Sequence, residues 1–224
     1  MKYGKILKGR FLSRPNRFIA YCEVEGKEMV CHVKNTGRSK ELLIPGATVI
    51  LSDERDKPER KTPFDLISVY KGKTLVNMDS QAPNKVAEEL MARLFPEAEI
   101  RREVTYGNSR IDLYLENGDE KIFTEVKGVT LELDGVAKFP DAPTERGIKH
   151  LRELERAVSE GYRAIALFII QMKGIKYFTP NEVTHPQFAV ALRHAAENGV
   201  EVWAYDCIVH EGIVDADAAV EVIL

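Results

Sequence analysis

The amino-acid sequence predicts an α+β chain in two units, a small OB-like β-barrel over residues 1–80 followed by a mixed-sheet α/β unit over residues 81–224. Three observations carry that prediction. Short strand-like runs punctuated by turn residues fill the first part of the chain. Past Asp79-Ser80-Gln81-Ala82-Pro83 the periodicity switches to alternating helices and strands. The charge balance turns over at the same place, from 16 Lys+Arg against 10 Asp+Glu up to residue 80 to 16 against 25 beyond it.

Taken in order, strands are predicted over 4–13, 18–24 and 28–33, the second and third joined by a hairpin turn at Glu25-Gly26-Lys27. Pro45-Gly46 precedes a strand over 47–52, and strands over 64–70 and 74–77 flank Lys71-Gly72-Lys73. About five or six strands in so short a stretch match a partly open Greek-key barrel. In the second unit 84–95 is helical, with Val86, Leu90 and Leu94 in one apolar stripe. Strands follow over 100–106, 110–116 and 121–127, the last two linked through Asn117-Gly118. Residues 128–143 read as one long connection, and such connections more often serve function than linkage. Thr144 caps a helix to about Glu160, and 164–170 is a strand buried on both faces. Gly199 then closes a helix over 186–198 ahead of a strand over 200–205.

With 44% hydrophobic and 30% charged residues, the chain has the composition of a folded globular protein, with apolar surface to offset ordering entropy, so disorder is not the default expectation. No run nears 18 consecutive apolar residues and the basic N-terminus lacks a signal peptide's apolar core, so no membrane partner and a cytoplasmic location are expected. Cys22, Cys31 and Cys207 lack paired zinc spacing and read as reduced thiols. Neighbouring strand residues Cys31 and His32 point to opposite faces, which argues against a shared metal. The net charge of -3 conceals a basic start, with 10 basic and 3 acidic residues in the first forty. Such a surface attracts phosphate by counterion release even on an acidic protein. Arg10, Arg14, Arg17 and Phe18, with Phe11 and Tyr21, give the basic-aromatic mixture of a nucleic-acid-binding barrel, unless Phe11 and Phe18 belong to its core.

The chemistry concentrates on one hairpin. Period-two alternation turns Asp112 away from the aliphatic side of its strand and puts Glu125 and Lys127 on one face of the next, about 6.7 Å apart, with Ile122, Thr124 and Val126 on the other. Asp112 and Glu125 can then converge on one cation. Two carboxylates plus waters suit Mg2+ or Mn2+, which would activate water and neutralise charge on a phosphodiester oxygen. Lys127 would hold the attacking water or the phosphate, and Glu88 on the preceding helix is the candidate third acid. An exposed cross-strand salt bridge is the alternative for the same spacing. Arg146, Lys149 and His150, at i, i+3 and i+4 of the following helix, either meet phosphate or, for Arg146 and Lys149, pair with Glu145 and Glu153.

At these residues the sequence resembles the sugar fermentation stimulation protein family over nearly its whole length. The blocks are Arg10-Phe11-Leu12 with Asn16-Arg17-Phe18, Asn35-Thr36-Gly37-Arg38, Ser109-Arg110-Ile111-Asp112, Glu125 through Leu131, and Phe139 through Leu151. The resemblance implies an N-terminal OB-like domain, a C-terminal domain of the restriction-endonuclease, PD-(D/E)xK type, and DNA binding without strong sequence preference. It matches Asp112, Glu125 and Lys127 to that superfamily's motif. Val33-Lys34 stands where many members have Cys-Pro, which removes a family cysteine and adds a basic group, so Lys34 and Arg38 complete the DNA-binding candidates. Three readings follow: a DNA-binding, metal-dependent nuclease, a regulatory DNA-binding protein without turnover, and a structure-specific RNA-processing enzyme. The intact Asp-Glu-Lys set favours catalytic competence, and a homodimer would let a nuclease meet two strands.

Overall fold

The computed structural model of the chain describes residues 1–224 except Thr36 and Arg38. Its first unit is a closed barrel of β1 (Ile6–Ser13), β2 (Ile19–Val24), β3 (Lys27–Val33), β4 (Thr48–Asp53) and β5 (Phe64–Lys71). Strand β1 pairs antiparallel with both β2 and β4, and a parallel β3–β5 contact closes the ring. That is the OB-like arrangement, with β6 (Thr74–Asn77) extending β5 as a hairpin. Alternation sets the core: in β2 the buried residues are Ala20, Cys22 and Val24. Phe11 is core, so it drops out of the basic-aromatic surface, whereas Phe18 is 51% exposed and stays on it. The β2–β3 turn takes positive φ at Glu25 and Gly26, the twist a two-residue hairpin needs.

Helix α1 (Ala82–Leu94) opens the second unit, followed by β7 (Glu99–Tyr106), β8 (Ser109–Asn117) and β9 (Glu120–Val129). Then come β10 (Leu131–Leu133), β11 (Val136–Phe139), α2 (Glu145–Ser159), β12 (Arg163–Ile170) and β13 (Tyr177–Pro180). The chain ends in α3 (Pro186–Glu197), β14 (Glu201–His210), β15 (Ile213–Ala219) and β16 (Glu221–Val222). One six-stranded sheet runs β15-β14-β12-β9-β8-β7, with β9, β12 and β14 parallel. Ile165, Leu167 and Ile169 of β12 pack with Val86, Leu90 and Met91 of α1. The alternate residues Ala164, Ala166, Phe168 and Ile170 join α2 and α3 on the other face. Coverage on both faces explains why β12 is apolar from Ala164 to Ile170.

Three expectations are corrected. Leu94 is 41% exposed, because the buried stripe of α1 follows Val86, Ala87, Leu90 and Met91 instead. Residues 128–143 are not one long loop: β9 runs on to Val129, and β10 and β11 form a hairpin through Asp134-Gly135, both at positive φ. This hairpin joins β13 and β16 in a separate four-stranded sheet. The final strand does not end near 205, since β14 reaches His210 and turns at Glu211-Gly212 into β15.

The two units share their packing. One apolar cluster holds Phe11, Val33, Leu66 and Met78 of the first part together with Val129, Phe168 and Phe178 of the second. Asn77 accepts from Gln171 Nε2 at 2.7 Å, and Lys2 bridges to Ile213 across the supposed division.

Candidate metal centre

The C-terminal half of β9 stays paired with β12 as far as Val129 but loses its β8 partner beyond Thr124, with a helix on either face. Ile122 and Val126 pack toward α1, while Phe123 lies in the cluster that contains α2, so period two also turns Glu125 and Lys127 toward α2. Asp112 lies one residue beyond the last β8–β9 pair, Leu113 opposite Thr124. Opposite it on β7, Glu103 has φ 55, and the alternation that buries Leu113 and Leu115 under α1 is interrupted there. The Asp112 carboxylate therefore folds across onto β9, where Oδ2 accepts from Val126 N at 2.8 Å, between Glu125 and Lys127. Its other oxygen accepts from Asn84 Nδ2 at 2.9 Å. Close approach of α1 depends on Gly128, where a Cβ would lie 2.6 Å from Pro83 Cγ and 2.7 Å from Gln171 Oε1.

Glu125 is 3% exposed, and its two oxygens differ. Lys127 Nζ and His150 Nδ1 both sit on Oε1. Oε2 is buried without a partner among the described residues. Burial is the largest influence on both carboxyls and pushes both pKa values up. At Asp112 the nearby Glu125 adds to it, and the net direction is upward despite the Val126 and Asn84 hydrogen bonds. At Glu125 the His150 and Lys127 contacts outweigh burial, and the carboxyl is held below its ordinary value. The pair thus presents one carboxylate whose charge is favoured by its partners beside one whose charge is penalised by burial and by the first. Hard oxygen donors with an unpaired buried oxygen fit a divalent cation of the magnesium or calcium type. Among the described residues no set of three His, Cys, Asp or Glu is arranged to hold a metal, His150 being turned onto Oε1.

Asp112, Glu125 and Lys127 are thus brought together, and Glu88 is not. The Glu88 carboxylate pairs with Arg102 at 3.6 Å, and the α1 side chain that reaches Asp112 is Asn84, one helical turn earlier. That one-turn offset on a shared helix face was the available signal. His150, grouped in the sequence with outward cations, is instead 4% exposed and faces Glu125. Arg146 Nε donates to His150 Nε2 at 3.3 Å, and Lys149 Nζ donates to Asn108 O at 2.6 Å. Neither pairs with Glu145 or Glu153.

On the barrel, Arg10 bonds Glu23 across β1 and β2 at 2.6 Å. Lys34 is drawn inward onto Asp65, 3.0 Å away, and Asp79, 3.6 Å away. Arg14 is a loop organiser, donating to Gly37 O, Asn35 O and Arg17 O. Arg17 is exposed and its side chain makes no bond among the described residues. Arg38 lies outside the described residues. A cavity of about 110 Å3, lined by Asn35 and Ser80 on one side and Gly128, Lys138 and Gln171 on the other, brings the barrel's loop up to the end of β9. A larger cavity of about 700 Å3 between Tyr70 and Glu211 holds none of these groups, so chemistry and not size marks the site.

Residues 12–78 match the family described as "SfsA N-terminal OB domain" and residues 81–212 the family described as "Sugar fermentation stimulation protein RE domain". The chain belongs to the sugar fermentation stimulation protein family. Its relatives include the sugar fermentation stimulation protein homolog of Desulfitobacterium hafniense (strain DSM 10664 / DCB-2), 60% identical over 218 residues that cover 96% of this chain and 95% of that protein. The homolog of Clostridium beijerinckii is 56% identical over 227 residues, covering 100% of both. The structure of Pyrococcus furiosus SfsA in complex with Ca2+ superposes with a TM-score of 0.88 at 28% identity, covering 100% of this chain and 98% of that one. Family membership accords with the closed OB-like barrel and with the mixed sheet that carries Asp112, Glu125 and Lys127.

Proposed function

We propose that this protein binds DNA with little sequence preference and hydrolyses phosphodiester bonds with a divalent cation, Mg2+ or Mn2+, held by Asp112 and Glu125. The observation that carries the reading is Glu125 Oε2, a buried carboxylate oxygen with no partner beside a second carboxylate. A buried oxygen left without a partner costs about 1–3 kcal/mol, and the Lys127 and His150 donors present are spent on Oε1. The Pyrococcus furiosus relative is described in complex with Ca2+, an ion that takes the same oxygen donors. When bound, such a cation supplies Lewis acidity toward a phosphoryl oxygen and acidifies a coordinated water.

The protein's own residues do the rest. Lys127 Nζ, fixed against Glu125, is placed to donate to a non-bridging phosphate oxygen or to the attacking water, where it stabilises charge that grows in the transition state. Asn84 and the Val126 N–H hold Asp112 in one orientation before any ligand binds. The three buried thiols fit a reducing, cytoplasmic setting.

The test is incubation of the pure protein with labelled single-stranded, duplex and branched DNA, with Mg2+ or Mn2+ and with chelator. Metal-dependent cutting that Glu125→Gln abolishes is the expected result. Failure to cut any of them with either metal would replace this reading with a DNA-binding regulator that keeps nuclease architecture without turnover.

A further inference from the structure

We infer that His150 is a positioning residue that decides which oxygen of Glu125 is offered to the cation, and that Arg146 fixes the proton of its ring. The inference rests on the metal site proposed above. Arg146 Nε lies 3.3 Å from His150 Nε2, and a guanidinium can only donate. Nε2 therefore presents a lone pair, and the ring proton is on Nδ1, which faces Glu125 Oε1. Lys127 Nζ donates to the same oxygen. Two donors on Oε1 leave Oε2 bare, so the relay Arg146 to His150 to Glu125 selects the ligating oxygen and its direction, as outer groups commonly do at metal sites.

The local fold holds this relay in place. Arg146 and His150 are one turn apart on α2. Thr144 caps that helix by accepting from Gly147 N at 3.1 Å, and a Cβ at Gly147 would lie 3.1 Å from Phe188, so α2 seats tightly against α3. His150 is 4% exposed and has little room to turn. Arg146 is itself exposed, and beyond the Nε bond its guanidinium has no protein partner among the described residues. Its remaining donors can take a phosphate oxygen while Nε keeps hold of His150. Substrate phosphate and metal are thereby linked through one side chain, and by reciprocity each should tighten the other.

Two measurements test the relay. In calorimetric titrations of the whole protein with Mn2+, His150→Ala should weaken binding by about 10- to 100-fold. His150→Asn, whose amide N–H falls near the place of Nδ1–H, should recover most of it, and DNA affinity in chelator should be unchanged in both. Long-range 1H–15N correlation reads the ring without any metal: wild type should show the Nδ1–H form, and Arg146→Ala should lose that preference. A wild type with the Nε2–H form overturns the inference whether or not metal binds. A wild type that binds Mn2+ with an affinity indifferent to His150→Ala overturns this role alone. No Mn2+ affinity in the wild type removes the metal reading and this role with it.

Discussion

Asp112 and Glu125 sit side by side, yet the protein treats their charges differently. Glu125 is held ionised by His150 and Lys127, whereas burial and the Glu125 charge push Asp112 upward. A carboxyl whose folded pKa lies above its unfolded value adds stability fully present below the unfolded pKa and lost as pH rises through the folded one. Above that folded pKa the metal-free protein has forfeited the stabilisation, as expected of a site kept for function. Asp112→Asn should therefore raise the thermal midpoint of the metal-free protein, by roughly 2–4 °C for each kcal/mol of repulsion relieved. The amide can still accept from Val126 N, and Asn84 can turn its own amide to match. The same variant should lose Mn2+ binding in calorimetric titration, so stability and affinity move in opposite directions. An unchanged or lower midpoint would show that Asp112 is not strained in the apo site. On the proposed mechanism Lys127 would act in the transition state more than in the ground state. Lys127→Ala should keep DNA affinity within a few-fold while cleavage falls by about 10²–10³, read from single-turnover assays against filter binding.

The strands and helices that carry the site were legible because their patterns are local. Alternation in 110–116 and 121–127 placed Leu113, Leu115, Ile122 and Val126 on one face, and Thr144 capped its helix as its side chain requires. The hairpin β10–β11 was missed although Asp134-Gly135, flanked by Leu131, Leu133 and Val136, is a strong two-residue turn signal. Strand β11 makes its other pairing with β13, forty residues on, which no local pattern shows. What could not be read from spacing was how far α1 slides along the sheet. That displacement is set by Gly128 against Pro83, and it puts Asn84 rather than Glu88 over Asp112. Arg14 shows the same limit, since composition marks a cation and only the loop's shape shows that it is spent on three carbonyls. Bonds from a charged donor contribute about 1.5–3 kcal/mol each at most sites. Arg14→Ala should accordingly lower stability by about that much for the set, seen as a shifted urea midpoint. The salt dependence of DNA binding should stay close to wild type, and a flatter slope would return Arg14 to the phosphate-binding face.

At the scale of the whole molecule, the barrel and the second unit are joined through a common apolar cluster and through Asn77 and Gln171, so the barrel's loops keep a set place relative to Asp112 and Glu125. Arg14 ties the loop that bears Arg17 to Asn35 and Gly37, and Asn35 lines the cavity that Gly128 borders, next to Lys127. On the proposed reading, a strand of DNA whose phosphate lies at Lys127 would run toward Arg17 and Phe18, an exposed cation and an exposed ring on this part of the barrel. The two side chains should report on different properties of that strand. On the proposed path Arg17 would neutralise one phosphate, so Arg17→Ala should reduce the slope of log affinity against log salt by about 0.9 on duplex DNA and about 0.7 on a single strand, with little dependence on sequence. Phe18 has a face for a base to stack on, which only an unpaired base can use. Phe18→Ala should cost about 1–3 kcal/mol with single-stranded DNA, roughly 5- to 150-fold in affinity, and leave the salt slope unchanged. With duplex it should cost far less. Fluorescence anisotropy titrations over a range of salt, with both DNA forms in chelator, separate these effects. Equal losses on duplex and single strand would make Phe18 a packing residue of the loop, and an unaltered slope in Arg17→Ala would move the phosphate path off this face of the barrel.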